Sequence, residues 1–183
     1  MQKLQRTKLA FTGIAGSGKD FLVNHLVKQG YTRVSFSDQL KKLATVIYPW
    51  LKKDYPPFEK EQPLNITLPS GEKITKTPRE IWLHLNKLRD IEDGIFLRML
   101  EAELNLLSVP NIVISDIRPK LEWDWCKKNG FTTIYIEPLK EIYKPNDFDK
   151  QVLAYKEQAD YIFENDFNGI EKFKKFIQTI KEI

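Results

Sequence analysis

Gly13-Ile14-Ala15-Gly16-Ser17-Gly18-Lys19-Asp20 stands between an apolar stretch, residues 9–12, and a run of helical character, residues 21–28. Strand, glycine-rich turn, lysine and helix in that order, with four residues between Gly13 and Gly18, form the pattern of a phosphate-binding loop. Glycines let successive backbone N–H groups turn inward around anionic oxygens. The following helix adds its positive end, and the lysine reaches the outer phosphates. The backbone of Gly13, Ala15, Gly16, Ser17, Gly18, Lys19, Asp20 and Phe21 is therefore expected to line a nucleoside triphosphate, with ATP as the donor. An ordinary turn before a helix would need none of this order.

Asp20 occupies the position where such loops usually carry a hydroxyl residue that ligates Mg2+. A carboxylate there can hold Mg2+ directly or through water, at the cost of negative charge near phosphates. It can equally serve the helix start, where its charge suits the positive end. Both readings stay open on the sequence.

The 183 residues suit one domain, 1–183, with a substantial core. A hydrophobic fraction of 42% and a charged fraction of 30% are those of a soluble protein, and no apolar run reaches membrane-spanning length. The polar start, Met1-Gln2-Lys3-Leu4-Gln5-Arg6, lacks the features of a secretory signal, so a cytoplasmic location is expected, without a membrane partner. Cys126 is the single cysteine, which excludes an internal disulfide and leaves it a passive helix residue. The net charge of +4 comes from lysines interleaved with acids rather than from one basic block, so no polymeric nucleic acid is expected as a partner. Monomer and homodimer are both compatible with this.

Residues 8–12 and 33–36 read as strands joined by a helix over 20–29 that Gly30 ends, which makes a βαβ unit. A helix from Ser37 carries Leu40, Leu43, Ala44 and Ile47 at helical spacing until Pro49 and then Pro56-Pro57 stop it. Residues 53–76 read as an irregular, projecting insertion on the substrate side, with a small hairpin around Pro69-Ser70-Gly71-Glu72. Thr77-Pro78-Arg79-Glu80 has the residues of a capping box with proline at the first helical position, so helices over about 78–90 and 93–107 are expected.

Residues 111–115 form a continuous apolar run, as in a strand buried on both faces, and a helix over 119–129 then leads to a strand over 132–136. Residues 137–159 are polar and lysine-bearing and read as an excursion or lid. A strand over 160–163 and a terminal helix with Ile170, Phe173, Phe176, Ile177 and Ile180 on one face complete the chain. The expected fold class is α/β: a three-layer sandwich around a mostly parallel five-stranded sheet that carries a P-loop.

In such sheets ligands bind at the carboxyl ends of the strands, and polar residues gather there: Lys19, Asp38, Asp116, Arg118 and Asn165-Asp166. Asp116 can reach a metal through water, and Arg118 can contact phosphate oxygens. The alternative for Asp116 is a helix N-cap paired with an arginine.

The segments Gly16-Ser17-Gly18-Lys19-Asp20, Phe36-Ser37-Asp38-Gln39-Leu40-Lys41, Thr77-Pro78-Arg79-Glu80, Ser115-Asp116-Ile117-Arg118 and Glu164-Asn165-Asp166 come in an order that resembles phage-type deoxynucleoside monophosphate kinases, part of the adenylate-kinase-like group. The resemblance spans nearly the whole chain, and the Thr77–Glu80 motif is its most discriminating part. It implies that Arg79 and Arg89 hold the acceptor's phosphate and that Asp38 and Lys41 border that site. It also implies that the 164–169 loop with Asn165 lies near the donor's adenine, that 137–159 closes as a lid, and that a phage-encoded chain would work in its host's cytoplasm. Two departures stand out. The family's glutamine, leucine and glycine after the motif are replaced by Leu83, Leu85 and Asn86, and the lid carries Lys140, Lys144, Lys150 and Lys156 in place of arginines. A lysine supplies charge without the bidentate fork.

The implied reaction passes the γ-phosphoryl group of ATP to a nucleoside monophosphate. The acceptor phosphate, with a second pKa of about 6, is largely ionised already, so no strong base is needed. Lys19 and the loop amides would hold the donor, Asp20 and Asp116 the Mg2+, while Arg118 and Arg79 would draw the reacting groups together. His25 and His84 are not required. Residues 18–21, 113–118 and 164–165 also resemble animal-type phosphomevalonate kinase, which would share the donor half. A nucleotide-binding regulator without transfer is the third possibility.

Overall fold

A computed structural model describes residues 7–140 and 147–181. Its elements are β1 (Thr7–Thr12), α1 (Lys19–Lys28), β2 (Thr32–Val34), α2 (Phe36–Ile47), β3 (Ile66–Thr67), β4 (Lys73–Ile74), α3 (Pro78–Asn86), α4 (Ile95–Leu106), β5 (Asn111–Ile114), α5 (Lys120–Lys128), β6 (Thr132–Pro138), α6 (Asp147–Ala154), β7 (Tyr161–Asn165) and α7 (Glu171–Lys181). They fall into two compact units. Unit one takes the chain up to Ser35 and again from Asn105, and unit two is Phe36–Leu104.

Unit one is built on a sheet of order β2-β5-β1-β6-β7, every neighbouring pair parallel. The expected α/β fold with five parallel strands is what forms. The first two βαβ connections do not join neighbours, since β5 lies between β1 and β2 and β1 lies between β5 and β6, whereas β6–α6–β7 joins adjacent strands. The chain thus leaves the central strand β1 toward one edge and later crosses to the other, and the crevice at such a reversal is where α/β sheets take their ligands. The loop at 13–18 opens from that strand.

Both faces of the sheet are covered, which is why β1, β5 and β6 read as near-continuous apolar runs. Leu9, Phe11, Val113, Ile134 and Ile136 pack with Leu22, Val23 and Leu26 of α1 and Phe173 and Ile177 of α7. The alternating residues Ala10, Ile112, Ile114 and Tyr135 are buried too, as are Trp123 and Cys126 of α5. Each large side chain so buried contributes about 1.5–3 kcal/mol. Burial also pushes the Cys126 thiol well above its ordinary range, in keeping with an inert core residue.

Unit two has its own small core of Ala44, Leu51 and Ile81, ringed by Tyr48, Trp50, Tyr55, Leu64, Trp82 and Leu85. The expected hairpin forms as the antiparallel pair β3–β4. The capping box of α3 forms as well: the Glu80 amide donates to Thr77 Oγ1 at 3.0 Å and the Thr77 amide to Glu80 Oε2 at 2.8 Å. The helix stops at Asn86 and passes into a 3-10 turn, Lys87–Asp90, so the expected span of 78–90 divides in two.

Within 137–159, expected as an excursion or lid, β6 runs on to Pro138 and α6 forms from Asp147, followed by a 3-10 turn, Lys156–Gln158. Val152 and Tyr155, three residues apart, are both buried. The part of the lid with Lys144 and Pro145 lies outside the described residues. Among the described residues no helix is long and apolar enough to cross a membrane.

Candidate phosphate site

Gly16 and Gly18 adopt left-handed backbone conformations, φ 81° and 80°, and Gly18 is the N-cap residue just before α1. Conformations of that kind turn backbone amides toward one concave side. Gly18 has a second reason to lack a side chain: a Cβ there would run into the Asn165 amide nitrogen and come within 3.1 Å of the Phe167 ring. A Cβ at Gly13 would meet the Ile136 carbonyl at 2.8 Å and Ser17 Oγ at 2.9 Å. The loop thus lies tight against the ends of β6 and β7. Ser17 is buried, and its hydroxyl has no hydrogen-bond partner among the described residues.

Asn165, expected near the donor's adenine, braces the loop. Its Nδ2 donates to the Ser17 carbonyl at 2.8 Å, and its Oδ1 accepts from the Phe167 amide at 3.1 Å. Phe167 takes a left-handed φ of 61°, and Lys140, one of the expected lid lysines, lies 5.8 Å from the centre of its ring. Another, Lys156, is paired with Glu137 on β6 at 2.6 Å.

Lys19 is the first residue of α1, largely covered, with its ammonium 3.2 Å from Asp20 Oδ1. Asp20 itself is exposed. Among the described residues it accepts no helix amide, and its charge sits in the first turn, toward the positive end of α1. Asp116 is likewise no N-cap. The position before α5 is held by Pro119, and the Asp116 carboxylate instead accepts the Ser35 hydroxyl at 2.7 Å. Thr12, last residue of β1, donates its hydroxyl to the Ile117 carbonyl at 3.1 Å, tying the 116–118 turn to the base of the loop. Arg33 donates to Ser115 Oγ at 2.9 Å one residue earlier. The Arg118 side chain is exposed and makes no hydrogen bond or ion pair among the described residues.

The loop, Asn165, Asp116 and Arg118 all belong to unit one. Its chemistry suits a magnesium–triphosphate: left-handed glycines, a largely covered ammonium paired only with the exposed Asp20 among the described residues, and an exposed guanidinium without a partner among them. Among the described residues no group of three or more acids, histidines or cysteines could hold a metal alone.

The remaining candidates belong to unit two and are already engaged. Asp38, near the start of α2, is buried between Lys41 at 3.9 Å and Lys53 at 3.6 Å. Lys41 also reaches Asp54 at 3.2 Å and stands 5.2 Å from the centre of the Trp82 ring. Arg79 pairs with Glu61 at 2.9 Å, both half exposed. A cation in the first turn of a helix opposes the helix dipole and suggests an anionic ligand. Glu61 already supplies the anion, so that argument loses its force. Arg89 is tied into its own turn, donating to the Asn86 side chain at 3.2 Å and the Asp93 carbonyl at 3.1 Å, and its guanidinium lies 5.0 Å from the centre of the Phe96 ring.

No protein-family model matches the sequence, and no curated protein does. Solved structures do. The Thermus thermophilus protein TT1252 aligns with a TM-score of 0.57 at 15% identity, covering 97% of both chains. A dephospho-CoA kinase from Campylobacter jejuni aligns with 0.56 at 16% identity, covering 95% of both. At these identities the likeness concerns the fold alone.

Proposed function

We propose that this protein is an ATP-dependent kinase that transfers a phosphoryl group to a (deoxy)nucleoside monophosphate. The observation that carries the kinase reading is the combination in unit one of a braced, left-handed glycine loop, Lys19 at the helix start and the unpaired Arg118 guanidinium. The loop amides and Lys19 would bind the donor's phosphates, Asp20 and Asp116 would hold Mg2+, and Arg118 would stabilise charge on the transferring group. Bound Mg2+ would neutralise charge on the donor's phosphates.

The acceptor assignment rests on the resemblance and on unit two. Its Thr77–Glu80 helix start forms as the motif requires, and Lys41 and Trp82 put a cation and an aromatic face side by side, a pairing suited to a phosphorylated ring compound. Arg79 would take the acceptor phosphate by exchanging Glu61 for it. Both partners are half exposed, and an ion pair of that kind is worth only about 0–1 kcal/mol. Such an exchange is within reach of a dianionic ligand.

The test is a panel of ribo- and deoxyribonucleoside monophosphates and phosphomevalonate, each supplied with ATP and Mg2+ and scored for ADP formation. Turnover with one or more nucleoside monophosphates is expected. Turnover with phosphomevalonate alone would keep the donor half and replace the acceptor, whereas ATP binding without turnover on any acceptor would mark a regulator.

A further inference from the structure

We propose that Tyr155 is a positioning residue for Arg118, fixing the backbone from which the guanidinium projects toward the donor's phosphates; the proposal rests on the reading of unit one as the phosphoryl-donor site. Three successive backbone groups around Arg118 are held by side chains from three different elements. Thr12 Oγ1 donates to the Ile117 carbonyl at 3.1 Å. The Arg118 amide donates to Glu122 Oε2 at 3.4 Å, and the Tyr155 hydroxyl donates to the Arg118 carbonyl at 2.8 Å. The Arg118 side chain, by contrast, is exposed and has no partner among the described residues.

Local sequence explains the arrangement. Pro119 precedes α5 and has no N–H, so the carboxylate of the third helical residue, Glu122, reaches back one residue further, to Arg118. Glu122 is almost wholly buried, an expensive place for a carboxylate unless its hydrogen bonds are needed. Tyr155 is buried as well, with its ring stacked on Trp123 at 4.5 Å and an interplanar angle of 6°. That stack fixes the direction of its hydroxyl. Burial, with the charges of Asp124 and Glu122, pushes the phenol up to about 12, so the hydroxyl stays protonated and remains a donor throughout the working range. Tyr155 follows directly on α6, within the stretch expected to close as a lid. Its hydroxyl therefore joins that stretch to the turn that carries Arg118.

Tyr155→Phe removes the hydroxyl and keeps the stack on Trp123. The expected result is a kcat lowered about tenfold with KM for ATP nearly unchanged, the pattern of a misplaced catalytic group. In an Arg118→Ala background the same change is expected to alter kcat less than twofold, because its effect runs through Arg118. Amide hydrogen exchange over residues 116–122 gives a readout without turnover, expected to quicken at least about fivefold in Tyr155→Phe while β1 is unaffected. Unchanged kcat, or a tenfold loss repeated in the Arg118→Ala background, overturns the positioning role. Should the wild type turn over no acceptor, the kinase reading fails and exchange alone decides: faster exchange at 116–122 supports the hold on Arg118, and unchanged exchange overturns it.

Discussion

The two units hold their charged candidates differently. In unit one side chains brace the backbone: Asn165 and Thr12 hold main-chain atoms of the loop and of the 116–118 turn, and although Lys19 pairs with Asp20 and Asp116 accepts Ser35, the Arg118 guanidinium has no partner among the described residues. In unit two the charged groups are committed to one another: Arg79 to Glu61, Lys41 to Asp54, Asp38 between two lysines. A site of the first kind is preorganised and spends little on reorganising when charge develops. A site of the second kind binds by exchange, replacing an internal carboxylate with the ligand's anion, and is tuned by how strong the internal pair is. Donor and acceptor should therefore respond differently to substitution.

The largest effect is expected at Lys19. Lys19→Ala removes positive charge from the donor's outer phosphates and should cost roughly 100-fold or more in turnover, read from initial rates at saturating ATP. Wild-type turnover in that variant would remove the phosphate-loop account altogether. Gly18→Ala comes next. It forces a side chain into a left-handed position, costing about 1–2 kcal/mol, and drives it against Asn165. Mg-ATP binding by calorimetry should be weakened at least about tenfold, since 1.4 kcal/mol is a factor of ten. Retained affinity would mean that the brace between Asn165 and the loop is incidental.

Asp116→Asn keeps the contact with Ser35 in shape but loses the charge, and should raise the Mg2+ concentration for half-maximal rate about tenfold. An unchanged metal requirement would return Asp116 to a purely structural role. The smallest effects are expected at the exchange pair. Arg79→Lys loses the planar fork and should raise KM for the monophosphate by about fivefold with ATP unaffected. Glu61→Gln releases Arg79 and should lower that KM by about two- to threefold, the worth of an exposed ion pair. Equal shifts in both substrates, or in ATP alone, would erase the distinction between the units.

The fold was legible because its signals were local and mutually consistent: the glycine loop, the apolar runs of β1, β5 and β6, and the capping box at Thr77 each point to one structure. Lys19, Asp116 and Arg118 could be picked out because they follow strand ends. The supports around them could not. Thr12 reaches Ile117, and Asn165 reaches Ser17, across 105 and 148 residues of chain, and only the strand order brings those ends together. Strand order is set by sheet packing and leaves no mark on any one segment. The helix α6 was hidden by its polar, lysine-bearing surroundings, although Val152 and Tyr155 carried a helical spacing. The pairing of Arg79 with Glu61 was missed because the hairpin region 53–76 read as irregular, which gave no reason to bring residue 61 near α3.

The central claim is that the γ-phosphoryl group of ATP is handed to a second phosphate. Following γ-labelled ATP with Mg2+ and a mixture of nucleoside monophosphates tests it most directly. The account predicts that the label appears in a nucleoside diphosphate made from one of the supplied acceptors, at a rate that Lys19→Ala lowers roughly 100-fold or more. Label that remains in ATP, or that appears only in inorganic phosphate, would contradict it.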